Sequence, residues 1–320
     1  MENIIAVTIG DLRGIGIYLL IKEWEKKNIN NFILISNYNL LNKSKLISKH
    51  KLNKLNKLSE FKKYNKNKIN ILNIDTKNEH TNCLDSLKVA YNLTKKSHFI
   101  GILTLPINKN KINKFADKNF IDQTTFFSKL ENNLSSNMVF IHKEKIFVPI
   151  TTHIELKNVF KIFKKKEFII KKIKNLNKTI ENDLNLKKPK YVIAGINPHA
   201  GENGLISLDE KKYLLPIIKS LKKTNINILG PVAGDSIIIK ENLIKFDVFL
   251  FPYHDQALIP FKMLSKFKGV NFTTNLDIIR VSPSHGTANN LVGKKIATSK
   301  GILNCFKLIK KIYKNRKKID

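Results

Sequence analysis

Tyr191-Val-Ile-Ala-Gly-Ile-Asn-Pro-His-Ala-Gly-Glu-Asn-Gly204 opens on four apolar residues and then breaks into a turn rich in glycine, asparagine and proline. A short, continuously apolar run closed by turn residues is the pattern of a strand covered on both faces. Similar runs recur at 4–9, 32–35, 69–74, 99–104, 138–141, 146–150, 226–229, 248–251 and 269–273. Between them lie amphipathic stretches at 16–27, 83–96, 119–133, 156–177 and 208–223. This alternation predicts α/β layers with a mostly parallel sheet. The lysine- and asparagine-rich stretch 42–67 carries Leu and Ile at helical spacings and reads as solvated helix and loop. There is no internal repeat and no Pro/Gly/Ser-rich linker, so two domains, if present, would exchange chain rather than follow one another like beads.

Composition narrows the function classes. With 320 residues and 42% hydrophobic content the chain can bury a sizeable core, which argues against global disorder. Cys83 and Cys305 stand far apart with no CxxC partner, which excludes a disulfide framework or a cysteine zinc cluster. Met1-Glu-Asn-Ile-Ile-Ala-Val7 enters an apolar run directly, and no secretory signal is visible. No uncharged apolar run approaches the ~18 residues of a membrane span, so the cytoplasm is the expected compartment. The net charge of +33 invites a nucleic-acid reading. Yet only Arg13, Arg280 and Arg316 are arginine among 58 basic residues, and Asn and Ile are abundant. Lys, Asn and Ile are residues of AT-rich codons, and the lysines are not interleaved with aromatics as a base-stacking platform requires. The charge reads as compositional bias. In such a chain a retained arginine points to a need for the planar bidentate fork, and Arg280 is the one that stands in a distinctive segment.

Chemistry is concentrated after the strands. His153 ends Val148-Pro-Ile-Thr-Thr-His153, His199 lies in the opening quotation, and His254 lies in Phe251-Pro-Tyr-His-Asp-Gln256. In open α/β sheets ligands bind beyond the carboxyl ends of strands. Three imidazoles at three such ends could converge on one cation with a coordination position open. No local spacing ties them together, and any one alone is more often a satisfied structural residue than a ligand. A fourth, His285, lies in Ser284-His-Gly-Thr-Ala288. His50, His80, His98 and His142 read as surface residues. Gly10-Asp-Leu-Arg-Gly-Ile-Gly16 follows the first strand and opens a helix, either as a tight turn or as a backbone cradle for a ligand.

Asn197-Pro-His-Ala-Gly-Glu202, Tyr253-His-Asp-Gln256, Gly269-Val-Asn271 and His285-Gly-Thr-Ala288 together resemble the 4-hydroxythreonine-4-phosphate dehydrogenase family of vitamin B6 biosynthesis. The likeness runs in order from the Gly10 turn through Leu103-Thr-Leu-Pro-Ile107 and Thr151-Thr-His153 to Lys295. Residues 285–297 also resemble the adenosine loop of isocitrate and isopropylmalate dehydrogenases. The resemblance implies their two-domain fold, with the active site in the interdomain cleft and completed by the second subunit of a homodimer. It implies a first domain of 1–117 plus 283–320 and a second of 118–282. It implies a divalent ion (Zn, Mg or Co) on His153, His199 and His254, and a phosphorylated substrate on Gln123, Thr124, Lys262, Asn271 and Arg280. NAD or NADP would lie on His285, Gly286, Thr287, Ala288 and Asn290. Asp255 and Lys262 are the alternatives for general base, and Asp235 is a further carboxylate near the site. Neither nucleic acid nor membrane is an expected partner.

The match departs at specific places. Asp122-Gln-Thr-Thr125 stands where the family has Gly-His-Thr-Glu, so Gln123, which cannot carry a proton reversibly, replaces a histidine. Asp11-Leu-Arg-Gly-Ile-Gly-Ile17 replaces Glu-Pro-Ala-Gly-Ile-Gly-Pro, Ser284 replaces an aspartate, and Asn290 replaces an acidic residue associated with ribose binding. These leave open NAD against NADP, and the native substrate against another phosphorylated four-carbon hydroxy acid. A basic nucleic-acid-binding protein without catalysis, or a family member kept as an inactive scaffold, are the remaining readings.

Overall fold

Strand β1 (Ile5–Thr8) is buried along its whole length and hydrogen-bonds on both edges to parallel neighbours, as its continuously apolar sequence requires. The computed structural model describes residues 3–319 apart from 63, 64, 66, 134 and 295. Lys295, where the family resemblance ends, therefore lies outside the described residues. Among the described residues twelve strands and eleven α-helices, numbered in chain order, fall into two units, 1–131 with 276–314 and 132–275 with 315–320.

The first unit carries β1, β2 (Phe32–Ser36), β3 (Leu52–Leu55), β4 (Ile69–Asn73), β5 (Gly101–Thr104) and β12 (Arg280–Pro283). Their order is β3-β4-β2-β1-β5-β12, and every pairing is parallel. The helices are α1 (Ile15–Glu25), α2 (Tyr38–Lys43), α3 (Glu79–Lys95), α4 (Lys109–Phe115), α5 (Gln123–Leu130) and α11 (Lys300–Arg316). The start of α3 is set by Asn78, whose side chain accepts from the backbone N–H of Thr81 while Thr81 reaches back to Asn78 N–H. Such a cap contributes about 1 kcal/mol. One core cluster joins Ile33 and Ile35 of β2 to Leu84, Leu87 and Tyr91 of α3 and to Phe127 of α5. Each such side chain contributes on the order of 1.5–3 kcal/mol by leaving water.

The second unit carries β6 (Met138–His142), β7 (Lys145–Pro149), β8 (Tyr191–Ala194), β9 (Ile228–Val232), β10 (Val248–Phe251) and β11 (Val270–Thr273). The order is β11-β6-β7-β10-β8-β9. The β11–β6 and β6–β7 pairs are antiparallel, and β7, β10, β8 and β9 run parallel. Its helices are α6 (Val159–Phe163), α7 (Lys166–Asp183), α8 (Leu215–Lys222), α9 (Lys240–Lys245) and α10 (His254–Ser265). Phe147, Phe249 and Phe251 stack within its core beside Phe261 of α10.

The α/β expectation holds, and all ten expected strands are present. Two were not foreseen. Leu52–Leu55 lies inside the stretch read as helix and loop, and there Leu52 and Leu55 are buried while β3 pairs with β4. β12 follows a segment without a long apolar run, because its first residue is a charged one that the fold buries. The boundaries also differ from 117/118 and 282/283. Phe127 of α5 packs on Tyr91, and β12 hydrogen-bonds β5, so both elements belong to the first unit. Of the four histidines expected at the surface, only His50 is exposed, and His80, His98 and His142 are half-buried. Among the described residues no helix is long and apolar enough to cross a membrane.

Candidate active site

In the second unit β7, β10 and β8 are neighbours and parallel, so their carboxyl ends lie on one edge of the sheet. His153 follows β7, His254 begins α10 directly after β10, and His199 lies in the loop after β8. The β7–β10 ladder does not stop at Pro149 and Phe251. Ile150 N–H donates to Phe251 O at 2.7 Å, and Thr151 donates to Pro252 O through its N–H at 3.2 Å and its hydroxyl at 2.7 Å. The two chains thus leave the sheet side by side, and the rings of His153 and His254 meet with centroids 5.4 Å apart. His153 adopts φ 51, the left-handed region disfavoured for a side chain of its size, which the extended ladder beneath it helps to hold.

His254 Nδ1 is 2.9 Å from the Asp255 carboxylate. A carboxylate on one ring nitrogen orients the imidazole and leaves the other nitrogen to a ligand, the common support of a metal-bound histidine. The donor set fits a cation on these grounds. Among the described residues, no group of three or more His, Cys, Asp or Glu side chains is gathered closely enough to hold one ion. The single chain therefore brings together the pair His153 and His254 but does not gather all three imidazoles.

Other expected residues surround this edge unevenly. Asp255 and Lys262 are exposed on α10, and Asp235 is exposed in the loop after β9. Asn271 is half-buried on β11 with its Oδ1 lacking a hydrogen-bond partner, as does Oε1 of Gln256. Buried polar atoms of this kind ordinarily have partners, so an orphan marks a place for a ligand or water. Gln256 Nε2 donates to Gly195 O at 3.0 Å, tying the start of α10 to the end of β8. Lys172 of α7 donates to Ile150 O at 2.8 Å, and burial pulls its amine down to about 8.

In the first unit Gln123, Thr124 and Arg280 form one polar cluster with Thr104 at the end of β5. Arg280, 1% exposed, donates to Thr104 Oγ1 through Nε at 3.0 Å and Nη2 at 2.7 Å, and to Thr124 Oγ1 at 3.2 Å. Its Nη2 also donates to Gln123 Oε1. Gln123 passes its own Nε2–H to Leu105 O at 3.0 Å. Burial lowers the guanidinium to about 10, against the opposing pull of Asp122. The group stays charged at neutral pH, with its N–H groups engaged by Thr104, Thr124 and Gln123. The arginine-scarcity reading thus meets a buried fork.

The loop after β12 carries His285, Gly286, Thr287, Ala288 and Asn290. His285 Nδ1 is 2.9 Å from Gly286 O, its Nε2 is buried without a partner, and burial pushes its pKa down from 6.5. Ala288 is left-handed at φ 38, and Asn290 is exposed. Thr287 O accepts the backbone N–H of Ile15 at 2.7 Å. The Gly10–Gly16 turn, left open on sequence grounds, therefore supports this loop. Sequence reading missed Thr104, Gln256 and Lys172 as partners, and also Glu210, buried at 2% exposure. A glutamate in Ser207-Leu-Asp-Glu210 carries no sequence sign that it is buried.

Residues 28–309 match the family described as pyridoxal phosphate biosynthetic protein PdxA. The chain belongs to that family. It is 35% identical to a 4-hydroxythreonine-4-phosphate dehydrogenase of Aquifex aeolicus, over 97% of this chain and 98% of the relative. It is 29% identical, over 94% of this chain and 95% of the relative, to an Oceanobacillus iheyensis protein provisionally named D-threonate 4-phosphate dehydrogenase. Among solved structures, a 4-hydroxythreonine-4-phosphate dehydrogenase from Klebsiella pneumoniae superposes with TM-score 0.79 at 23% identity. It covers 98% of this chain and all of the other. That likeness carries the fold.

Proposed function

We propose that this chain oxidises the secondary alcohol of 4-phosphooxy-L-threonine (4-hydroxythreonine 4-phosphate) with NAD or NADP. The resulting 3-keto acid decarboxylates to 3-amino-2-oxopropyl phosphate on the route to pyridoxal 5'-phosphate. Family membership supports this reading. The observation that carries it at the site is the His153–His254 pair at the ends of adjacent parallel strands.

His153 and His254 would hold a divalent cation, with His199 as third ligand. Imidazole nitrogen suits zinc or cobalt better than magnesium, which prefers oxygen. When bound, the cation supplies Lewis acidity that eases loss of the alcohol proton, and the nicotinamide accepts the hydride. The chain's own work is orientation and charge. Asp255 holds the His254 ring. Arg280, in its Thr104–Thr124–Gln123 setting, would take an anionic group of the substrate by its fork, with Lys262 and Asn271 as further contacts. Of the two candidate bases, Asp255 is committed to His254 in this geometry, which favours Lys262 for proton transfer. The His285–Asn290 loop would receive the cofactor, and the neutral Asn290 leaves the ribose end without the carboxylate that selects NAD. The family resemblance supports a homodimer whose second subunit completes the active site. The exposed Ile259, Met263 and Phe267 on and after α10 offer it an apolar face. A cytoplasmic enzyme without nucleic-acid or membrane partners completes the reading.

Gln123 favours one second reading. It stands where the family has a titratable histidine, and both ends of its amide are engaged within the chain. A change at this position suits a substrate differing at the carbon that histidine would face, such as D-threonate 4-phosphate, for which relatives are named. Reduction of NAD or NADP followed with each substrate and added Zn²⁺, Co²⁺ or Mg²⁺ decides the matter. Turnover of 4-phosphooxy-L-threonine supports the first reading. Turnover of D-threonate 4-phosphate alone supports the second, and none with either removes both.

A further inference from the structure

The loop bearing His199 has an uncommon backbone. His199, Ala200, Gly201, Glu202 and Asn203 are consecutively left-handed, with φ of 50, 50, 78, 43 and 55. Left-handed backbone costs roughly 1 kcal/mol or more for each residue other than glycine, so such a stretch persists only where its surroundings impose it. Within the loop, Ala200 N–H donates to Asn197 O at 3.1 Å, Leu205 N–H to Glu202 O at 3.0 Å, and Ile206 and Ser207 N–H to Gly201 O at 3.3 Å, which close its far end but not its base. Something outside the turn must hold it.

Glu210 is the group in position to do so. Its Oε1 accepts the backbone N–H of Ile196 at 3.0 Å and of Asn197 at 2.8 Å. Both its oxygens accept from the Asn197 side-chain amide, at 3.3 and 3.1 Å. A Cβ at Gly201 would lie 2.5 Å from Glu210 Oε2 and 2.5 Å from Ser207 O, so the far side of the turn closes over the carboxylate. At Gly195 a Cβ would lie 2.7 Å from Ala200 Cα, so the turn also folds back on its own base. Glu210 itself begins a π-helical turn, Glu210–Leu214, ahead of α8. Single π turns re-aim side chains and recur at functional sites. A charged acceptor shared among backbone and side-chain N–H groups is stronger than a neutral one, and at 2% exposure water does not compete for it.

We infer that Glu210 is a positioning residue of the candidate metal centre: its buried carboxylate pins the base of the 195–203 loop and thereby sets the orientation of His199. This rests on reading His199 as a ligand, and it assigns Glu210 no contact with ion or substrate. Glu210→Gln keeps one acceptor oxygen for the two backbone N–H groups, whereas Glu210→Ala removes both.

The test uses the full-length protein as purified, titrated with Co²⁺ by calorimetry and examined by hydrogen exchange over 195–203. Glu210→Ala is expected to weaken Co²⁺ binding roughly 10- to 100-fold, the usual effect of losing a group that supports a ligand. It is also expected to accelerate exchange in the loop while leaving 138–150 protected. Glu210→Gln should fall between the native protein and Glu210→Ala in both, because it keeps one acceptor oxygen for the backbone N–H groups but loses the charge and the second acceptor of the Asn197 amide. Should Glu210→Ala fail to fold, Glu210→Asp, one methylene shorter, is expected to show the same two effects in weaker form. Native Co²⁺ affinity and native loop protection in Glu210→Ala, or in Glu210→Asp where that variant takes its place, would overturn the inference. His199→Ala is the control for the reading beneath it. If that variant binds Co²⁺ as tightly as the native chain, the ligand role of His199 falls and the positioning role falls with it. If His199→Ala loses Co²⁺ while Glu210→Ala keeps both readouts, Glu210 alone is refuted.

Discussion

The Asp255 carboxylate lies 2.9 Å from Nδ1 of His254, its neighbour in the first turn of α10. The aspartate side chain is 76% exposed, so it contributes little to folding and its geometry matters for the ring it orients. Asp255→Ala should therefore weaken divalent-ion affinity about 10-fold or more, with thermal stability nearly unchanged. Metal titration and a melting curve on one sample test both halves, and unchanged ion affinity would remove the orienting role.

Arg280 supports a prediction of the opposite kind. Lysine at this position keeps the charge but loses the fork that reaches Thr104 through two N–H groups and Thr124 through a third. Arg280→Lys should destabilise the chain by about 2–4 kcal/mol, since buried acceptors lose charged donors. It should also raise the KM for the phosphorylated substrate more than it lowers kcat. Denaturant titration and steady-state kinetics measure the two effects, and native stability with native KM would exclude both.

At Gly14 a Cβ would stand 3.1 Å from Asp11 O and 3.2 Å from Thr287 O. Gly14→Val should press on the Thr287 turn and weaken dinucleotide binding by about 1 kcal/mol, a roughly fivefold rise in Kd. NADH fluorescence titration reads this directly, and an unchanged Kd would separate the Gly10–Gly16 turn from dinucleotide binding.

Lys172 sets a pH dependence. Burial lowers its amine from 10.5 to about 8, so between those values the unfolded chain binds more protons than the folded one. Stability attributable to this group therefore rises with pH across that window. Lys172→Met should flatten the rise between pH 8 and 10.5, and should raise stability at pH 7 by as much as about 3 kcal/mol, less what the lost bond to Ile150 O contributed. Urea denaturation at several pH values measures it, and an unaltered pH profile would count against a buried charge at this position.

Much of the fold was legible because burial writes itself into composition. Runs such as Tyr191-Val-Ile-Ala194 and Val248-Phe-Leu-Phe251 can be satisfied only inside a covered sheet, and both are strands. β3 escaped notice because an edge strand needs only Leu52 and Leu55 inside, with lysine and asparagine between them. β12 escaped because Arg280 is buried by the partners the fold brings to it, Thr104 from β5 and Thr124 from α5, across long sequence separations.

The candidate site divides along the same line. Sequence alone singled out the candidate residues: three histidines after three apolar runs, an arginine in a distinctive segment, and strings shared with a known family. Tertiary structure decided which of them meet. His153 and His254 are together because β7 and β10 pair in parallel and their ladder runs on through Thr151. Glu210 became visible only as a buried carboxylate under a left-handed loop. Local residue pattern reports how much surface a segment must hide. It says nothing of which distant segment will hide it, and hydrogen bonds between remote groups depend on that second fact.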